Sequence, residues 1–373
     1  MTDVHAKGMS DEARVEEVEA LPEIESLSIT QTDPRARGQS HGEHWRACVH
    51  ELAEVQLSHA CVSAETDAVL DSAAASLVVM AAEVPDLHAE ILGIAEGADL
   101  TPQRIVVLNG VDLAPVDEEL AVPSAAASGG TSIYFQGAEG PTLGHIWDLH
   151  PAVAPFVRVL RVKTAHVTTL LVTLTGCLGL AGLTDGGFAV TTLALSQQDR
   201  AVGVPWPAVV RSLLAAGRAA DARRDLERLT LGSGRHVVLA DREQFLALEN
   251  SATHTVLTQK GPKAAHLHTN HSFDPVLRQT EAIPRTSTTF PRINTASTIY
   301  AQQRPATADA LWALLHEHGP GAGSLCSHGG QGASPQQPVT AAIAVFSLAP
   351  ARLRIVAGCE QRGRSVSLDV GAA

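Results

Sequence analysis

The sequence lacks an excess of positive charge. Its 373 residues carry 27 Lys and Arg against 40 Asp and Glu, which gives a formal net charge of −13 at pH 7. Such a chain repels phosphate backbones and anionic membrane surfaces, so neither nucleic acid nor a membrane is an expected partner. Hydrophobic residues make up 45% of the chain, enough for a buried core, and we expect a globular protein.

A long uninterrupted apolar run is also missing. The most apolar stretch, residues 170–195, is interrupted by several glycines and by Asp185, and its Val and Thr content favours strands over a membrane helix. The first twenty residues are polar and acidic, unlike a basic segment followed by an apolar run, so no signal peptide is predicted. The expected location is therefore the cytoplasm.

Paired cysteines are absent as well. The five cysteines form an odd, widely spaced set without a CxxC pair, which argues against a disulfide framework and against a zinc ribbon. We expect most of them to be buried thiols. The sequence also has no HExxH pattern, and we predict neither a metal site nor a cofactor.

Composition and apolar periodicity divide the chain into three parts. Residues 1–27 are acidic and lack an apolar period, which predicts a disordered leader. Residues 28–129 are rich in Ala and Leu at helical spacing, which predicts a helical N-terminal part. That part ends in a small, polar stretch at 117–130, which predicts an exposed loop that could be cut. Residues 130–373 form the core.

The core alternates short β-type runs with two helical stretches. Strands are predicted at 131–136, 141–148, 157–164, 167–176, 188–196, 235–241, 244–250 and 265–271, with a hairpin at 341–360. Helices are predicted at 205–229 and 307–318. Grouped strands with separate helices indicate an α+β architecture rather than a regular βαβ alternation.

Six short segments occur in an order that characterises one enzyme family. They are RGQSHGE at 37–43, PDLHAEILGIAEGA at 85–98, Leu108-Asn109, LGHIWD at 143–148, HTNH at 268–271 and SLCSH at 324–328. They resemble, in turn, RGxxHGE, a P-x-x-x-E-E-x-x-G-I-A-E-G-A helix, a short LN element, G-x-N-W-D, HTNH and S-I-C-R-H. On these segments the chain resembles the acyl-CoA:isopenicillin N acyltransferase-like branch of the Ntn hydrolases.

The resemblance implies a four-layer αββα sandwich and a precursor that cuts itself before an internal Cys. The new terminal Cys would supply a thiol nucleophile and, through its α-amino group, the base that activates it. An α-amine with a pKa near 8 is a much better base at neutral pH than Lys. The implied reaction makes or breaks an amide bond through an acyl-enzyme.

At four positions the chain departs from the family pattern. The family Cys stands eighteen positions before the Asp of N-W-D, and that count leads to Gly130, which has no side chain to attack a carbonyl. The Asn of N-W-D is replaced by Ile146, and the Arg of S-I-C-R-H by Ser327. An Asn expected in the G-x-N-x-x-G turn is replaced by Thr184. The family mechanism therefore does not carry over directly.

Three interpretations follow. In the first, Thr131 replaces the Cys and uses its own freed amine as base, although neighbouring strand residues face opposite sides and Thr131 would point away from the family pocket. In the second, the chain stays uncut and the pocket serves other chemistry or ligand binding. In the third, Gly130 is a laboratory substitution that traps a precursor. We prefer the second interpretation to the first, and the first to the third.

The candidate catalytic residues are Thr131, Asp148, Asn270, His271 and His328. By resemblance, Asp148 orients the nucleophile's surroundings and Asn270 donates to an oxyanion; the alternatives are a solvated strand-end Asp and a turn Asn. His145, His150 and His268 could join His271 and His328 in one pocket, as a general base or, less favoured, around a metal. His41, Glu43 and Cys326 are expected to be packing or capping groups.

The expected function is that of an acyltransferase or amidohydrolase acting on a small amide, amino-acid-derived or acyl-thioester substrate, in specialised metabolism. Such a substrate could be an acyl-CoA or a carrier-bound acyl group. Because the Cys is absent, the mechanism would be non-standard, with acid/base chemistry by a His and a carboxylate in the same pocket as one form of it. The alternative is an unprocessed, inactive or reassigned member that binds a small ligand or a partner enzyme. The sequence does not indicate an oligomeric state.

Overall fold

Runs rich in Val, Thr, Leu and Ala form strands throughout the core, as the sequence predicts. The computed structural model describes residues 21–62, 64–110, 129–261, 265–319, 321–328 and 337–372. Its strands are β1 Ser26–Ile29, β2 Gly129–Gly137, β3 Gly140–Leu149, β4 Val157–Lys163, β5 Thr168–Leu174, β6 Ala181–Thr184, β7 Ala189–Ala194, β8 Arg235–Ala240, β9 Phe245–Asn250, β10 Thr255–Lys260, β11 His266–His268, β12 Val339–Leu348, β13 Ala351–Ala357 and β14 Val366–Asp369.

The strands build two sheets. The first has the order β1-β4-β5-β6-β7-β8-β9-β10, and the second has the order β11-β2-β3-β12-β13-β14. Neighbouring strands are antiparallel except β1, which pairs with β4 in parallel. The sheets pack face to face, and the rings of Tyr134 and Phe245 stack between them with centroids 4.1 Å apart. The strand predicted at 131–136 is thus an internal strand of a packed sheet.

Helices cover the outer faces of both sheets. They are α1 Pro34–His44, α2 Arg46–Ala60, α3 Thr66–Glu83, α4 Pro85–Ala98, α5 Pro102–Leu108, α6 Trp206–Ala215, α7 Ala219–Leu226, α8 Thr289–Gln303 and α9 Ala308–Leu315. On the first sheet α6 brings Leu214 over Gly182, and on the second sheet α9 brings Leu311 and Leu315 over Gly144. The layers therefore run helix, sheet, sheet, helix, and the predicted αββα sandwich is confirmed.

The N-terminal helices α1 and α4 pack against each other through glycines of two family-like segments. A Cβ built on Gly38 of α1 would lie 2.0 Å from the carbonyl oxygen of Glu90, and one on Gly93 of α4 would lie 2.0 Å from that of Arg35. Only glycine allows two helix backbones to approach so closely. The same helices are joined to α6 by Glu90, which pairs with Arg37 at 2.7 Å and Arg211 at 2.9 Å. The RGxxHG and GxxxG spacings thus serve helix packing.

Two predicted segments of the N-terminal half are described only in part. Residues 1–20 of the predicted leader and residues 117–128 of the predicted loop lie outside the described residues. Strand β1 spans the predicted boundary between residues 27 and 28, and Ile24 and Ile29 are buried. Ordered structure therefore begins before residue 28. Among the described helices, none combines the length and the hydropathy needed to cross a membrane.

Candidate functional site

The first residues of β2 alternate between two environments. Gly129, Gly130 and Thr131 pair with Asp148, Trp147 and Ile146 of β3. A Cβ on Gly129 would lie 3.2 Å from Asp148 Oδ2 and 3.5 Å from Arg292 Nη2. Alternate residues of a strand share a face, so Thr131 is directed to the same side as Gly129.

Gly130 faces the opposite side, toward the first sheet. A Cβ there would lie 2.5 Å from the carbonyl oxygen of Ile146 and 2.7 Å from Leu193 Cδ2. The Ile146 backbone and Leu193 therefore occupy the space that a side chain at residue 130 would take. Thr131 points away from the face of Gly130, and it shares the face of Gly129 that Asp148 and Arg292 adjoin.

Arg292 of α8 connects the polar groups around this strand. It is 4% exposed. Its Nη1 donates to the carbonyl oxygen of Gly130 and, at 3.2 Å, to Thr131 Oγ1. Its Nη2 donates to Asn270 Oδ1 at 2.7 Å, and its Nε donates to Thr288 Oγ1 at 2.9 Å. One guanidinium thus holds both the carbonyl and the hydroxyl that flank the Gly130–Thr131 peptide bond.

The sequence reasoning missed Arg292 because it predicted no helix at 289–303. The buried residues of α8 are Thr289, Arg292 and Ala296, a face with a single apolar member. Helix prediction from apolar periodicity needs several large apolar residues on one face. The three buried positions are spaced three and four apart, and that spacing of small and polar residues was the available signal.

Asp148 lies at the end of β3 beside the guanidinium. Thr340 Oγ1 donates to Asp148 Oδ1 at 2.8 Å, while Arg292 Nη1 stands 4.0 Å from Oδ2. Thr340 of β12 pairs with Asp148 of β3. The pairing register shifts directly after Thr340, at an irregularity between Thr340 and Ala342. Burial raises the pKa of Asp148 above its usual value, and Arg292 and Thr340 offset this only in part. The carboxylate is therefore readier than an exposed Asp to accept a proton.

Asn270 follows β11 and binds the backbone next to the site. Its Oδ1 accepts the N–H of Gly130 at 3.0 Å, and its Nδ2 donates to the carbonyl oxygen of Ala194 at 3.1 Å. The resemblance implied an oxyanion donor at this position. In the structure, Arg292 rather than the Asn270 amide is the group that donates to the Gly130 carbonyl.

His271 supports the Asn270 loop from one step away. Thr289 Oγ1 lies 2.9 Å from His271 Nδ1 and also accepts the N–H of Asn270 at 2.8 Å. Burial lowers the pKa of His271 to about 4, with the charge of nearby His268 as the next cause. The ring is neutral at pH 7 and positions the loop without touching Thr131 in the described contacts.

The remaining histidines are divided among three places. His145 faces the space between the sheets, where burial lowers its pKa to about 3, and His268 pairs there with Glu249 at 2.7 Å. His150 contacts the ring of His59, with centroids 4.3 Å apart. His328 lies beside Cys326, with Sγ 3.1 Å from Nε2. The histidines therefore do not form one pocket; Thr131, Asp148 and Asn270 meet at Arg292.

Comparison with known proteins identifies the family. Residues 135–359 match the sequence model of acyl-coenzyme A:6-aminopenicillanic acid acyl-transferase. The chain belongs to that family. The match spans more than half of the chain and includes Asp148, Asn270 and Arg292, but it begins at Phe135 and does not reach Gly130 or Thr131. Together with the two packed sheets, family membership confirms the Ntn-hydrolase-type fold.

The relatives are distant. The 40 kDa form of acyl-coenzyme A:6-aminopenicillanic-acid-acyltransferase from Emericella nidulans is 25% identical over 197 residues, which cover 52% of this chain and 54% of that protein. The chain thus spans about half the length of this curated relative. Penicillin V acylase from Agrobacterium tumefaciens is 14% identical, with a TM-score of 0.42 over 65% of this chain and 92% of the other. A mutant of conjugated bile acid hydrolase from Clostridium perfringens is 8% identical, with a TM-score of 0.42 over 64% and 92%.

Proposed function

We propose that this chain transfers or hydrolyses the acyl group of a small amide or acyl thioester, with Thr131 as the nucleophile. The observation that carries the proposal is the position of Arg292, whose guanidinium binds both the Gly130 carbonyl oxygen and Thr131 Oγ1. A cationic donor on a carbonyl oxygen stabilises the negative charge that develops there during attack. The same contact places the hydroxyl beside that carbonyl.

Thr131 must first be freed by cleavage of the Gly130–Thr131 bond. Its Oγ attacks the Gly130 carbonyl carbon, and the hydroxyl proton passes to the Asp148 carboxylate. The tetrahedral oxyanion is held by Arg292. Its collapse breaks the C–N bond, the nitrogen takes the proton back, and an ester remains. Water then hydrolyses the ester, leaving a Gly130 carboxylate and a free Thr131 amine.

The freed Thr131 carries both groups needed for turnover. Its α-amine, with a pKa of about 8 in an unperturbed chain, can accept the hydroxyl proton when an acyl substrate binds. Attack on the substrate carbonyl then forms an acyl ester on Thr131, which an amine or water resolves. This is the first of the three interpretations of the sequence, and we now prefer it because Thr131 rather than Gly130 shares the polar face.

A second function rests on a different observation. Between the sheets, several buried polar atoms have no hydrogen-bond partner among the described residues, namely Ser132 Oγ, both ring nitrogens of His145, Thr191 Oγ1 and His236 Nδ1. Buried polar groups of this kind normally bind water or a ligand. They favour an uncut chain that binds a small polar molecule between its sheets.

The deciding experiment is the intact mass of the purified chain. Self-cleavage gives two fragments, residues 1–130 and 131–373, and Thr131→Ala abolishes them. Thr131→Ser should restore cleavage because it keeps the hydroxyl. Ser132→Ala is the matched control, since Ser132 is the next hydroxyl along the strand and faces away from Arg292. Wild-type chain that stays in one piece under all conditions tested would reject the Thr131 proposal and favour the uncut ligand-binding protein.

Turnover is tested with the substrates that the names of the relatives suggest. Penicillin V hydrolysis and acyl transfer from an acyl-CoA to 6-aminopenicillanic acid should both depend on Thr131 if either is a substrate. A burst of product equal to the enzyme concentration would report the acyl ester. Activity that survives in Thr131→Ala would show that another group performs the chemistry.

A further inference from the structure

Two cysteines and two histidines converge at one point on the other side of Thr340 from Asp148. They are His318, Cys326, His328 and Cys359. Their donor atoms, one from each residue, all lie within 4.8 Å of one another. Both cysteines are buried, whereas His318 is exposed and His328 is half-buried. The four residues lie apart from Arg292, and none of them takes part directly in a step of the proposed acyl transfer.

The spacing of the donor atoms is close to that of a tetrahedral metal site. Bonds of about 2.3 Å to sulfur and about 2.0 Å to nitrogen place neighbouring donors of a tetrahedron roughly 3.3–3.8 Å apart. Here His328 Nε2 lies 3.1 Å from Cys326 Sγ and 3.2 Å from Cys359 Sγ. His318 Nε2 lies 3.6 Å from Cys359 Sγ and 2.9 Å from His328 Nε2. Small outward shifts of the four side chains would open room for one ion.

The surrounding chain holds the four residues in place. The N–H of Cys326 donates to the carbonyl oxygen of Glu317 at 3.2 Å, and those of Arg362 and Gly363 donate to that of Cys359 at 2.9 and 2.8 Å. His318 Nδ1 lies 3.5 Å from Gln361 Nε2. Backbone and side-chain contacts of this kind fix the orientation of metal ligands.

The chemistry of the four donors indicates which ion fits. Two soft sulfur donors with two imidazoles form a donor set that suits zinc, and carboxylate-preferring Ca²⁺ or Mg²⁺ would not choose it.

We propose that His318, Cys326, His328 and Cys359 bind one Zn²⁺ in a closed tetrahedral site. Four protein ligands leave no open position for a substrate or a reactive water, so the ion is structural. It joins the segment between α9 and β12 to the turn after β13. This assignment departs from the sequence analysis, which predicted no metal because the ligands are not arranged in a recognisable spacing.

The site also reaches Asp148 through the backbone. Ser327, between two of the ligands, donates its N–H to Thr340 Oγ1 at 2.9 Å and accepts the Thr340 N–H at 2.7 Å. Thr340 Oγ1 in turn donates to Asp148 Oδ1 at 2.8 Å. A bound ion that fixes Cys326 and His328 therefore fixes the hydroxyl that orients Asp148.

The test measures metal directly on purified, untagged full-length chain kept reduced. Elemental analysis should find about one zinc per chain. After chelation, Co²⁺ titration should give the visible bands of a tetrahedral site and a thiolate-to-cobalt charge-transfer band. Cys359→Ser and His328→Gln should each lower the affinity for Co²⁺ at least about tenfold. Cys48→Ser and His254→Gln change a thiol and an imidazole outside the cluster and should leave binding unchanged.

The cobalt spectrum of the wild-type chain keeps the proposal testable even if a variant fails to fold. Wild-type chain that binds neither metal, or that forms a Cys326–Cys359 disulfide under conditions in which zinc is offered, would overturn it. An unchanged charge-transfer band in a folded Cys359→Ser chain would overturn it as well. Zinc binding with unprocessed Thr131 would support the metal site and leave the acyl-transfer proposal to be judged separately.

Discussion

Two buried clusters of charged side chains in this fold differ in how their carboxylate is paired. Around Glu90, one carboxylate lies between two guanidiniums: Arg37 at 2.7 Å, and Arg211, which binds both carboxylate oxygens at 2.9 and 3.1 Å. Around Arg292, one guanidinium donates to a carbonyl, two hydroxyls and an amide, while its nearest carboxylate, Asp148, stays 4.0 Å away. The Glu90 carboxylate is therefore fully paired with cations, whereas the Asp148 carboxylate is only incompletely paired.

The pKa values express this difference. Burial raises the pKa of Glu90, but Arg211 and Arg37 outweigh burial and lower it below the ordinary value. For Asp148 burial outweighs Arg292 and Thr340, and the pKa stays raised. A carboxylate held ionised by two cations joins helices, whereas one with a raised pKa beside a hydroxyl can exchange a proton. The comparison therefore indicates a structural role for Glu90, and it is consistent with the proton-accepting role proposed for Asp148.

The largest expected effect is on folding and comes from Glu90→Gln. The variant leaves Arg37 and Arg211 buried without their carboxylate, which should cost about 3–5 kcal/mol of the free energy of unfolding. Glu96→Gln on the same helix removes the exposed partner of Arg35 and should leave the stability unchanged. Urea denaturation of both variants measures the difference. Equal free energies of unfolding for the two variants would show that the buried Glu90 network does not stabilise the packing of these helices.

Arg292→Met should mainly affect chemistry. Without the guanidinium, the oxyanion on Gly130 loses its cationic donor, and self-cleavage should slow by about 100-fold. Arg292→Lys keeps the charge but loses the two-pronged geometry, so it should recover only part of the rate. The rate is followed by intact mass with time, with unfolding measured on the same samples. A cleavage rate that is unchanged in the Met variant would separate Arg292 from the reaction.

A Cβ on each of the two glycines tests the alternation of β2. Gly130→Ala meets the Ile146 carbonyl oxygen at 2.5 Å and should cost about 1–3 kcal/mol of stability through overpacking. Gly129→Ala finds its closest atoms at 3.2 Å and should cost less. Thermal unfolding of the pair measures the contrast. A Gly130→Cys variant as stable as the wild type would contradict this prediction. It would show that residue 130 can hold the Cys side chain of the family pattern.

The smallest expected effect is a difference in how the stability of wild type and of Asp148→Asn depends on pH. Since the folded-state pKa of Asp148 is raised above 3.8, its contribution to stability is complete below that pH and is lost as the pH rises through the folded-state value. Asp148→Asn should therefore gain stability relative to wild type as the pH rises above 3.8. Glu90, with its lowered pKa, should do the reverse and lose its contribution as the pH falls below 4.5. Unfolding curves from pH 3 to 7 test both signs, and parallel curves for wild type and Asp148→Asn would contradict the raised pKa.

Most of the strands and the helical N-terminal part could be predicted, because Val, Thr and Leu runs and Ala-rich periodicity are local properties. Strand β1 could not, since it is short and gains its partner, β4, only in the fold. Helix α8 could not either, as its buried face carries Thr289 and Arg292 in place of large apolar residues. Because helix α8 was not predicted, Arg292, the residue that joins Thr131, Asp148 and Asn270, was not predicted either.

The sequence by itself determined the family and the αββα sandwich, because ordered motifs and apolar patterns are written along the chain. It also named Thr131, Asp148 and Asn270. Tertiary structure alone decided which face each residue occupies, how Arg292 connects them, and that Cys326 and Cys359 meet with two histidines. The physical reason is that a one-residue change of position on a strand reverses a side chain's direction, and contacts between distant segments depend on packing that no local pattern encodes.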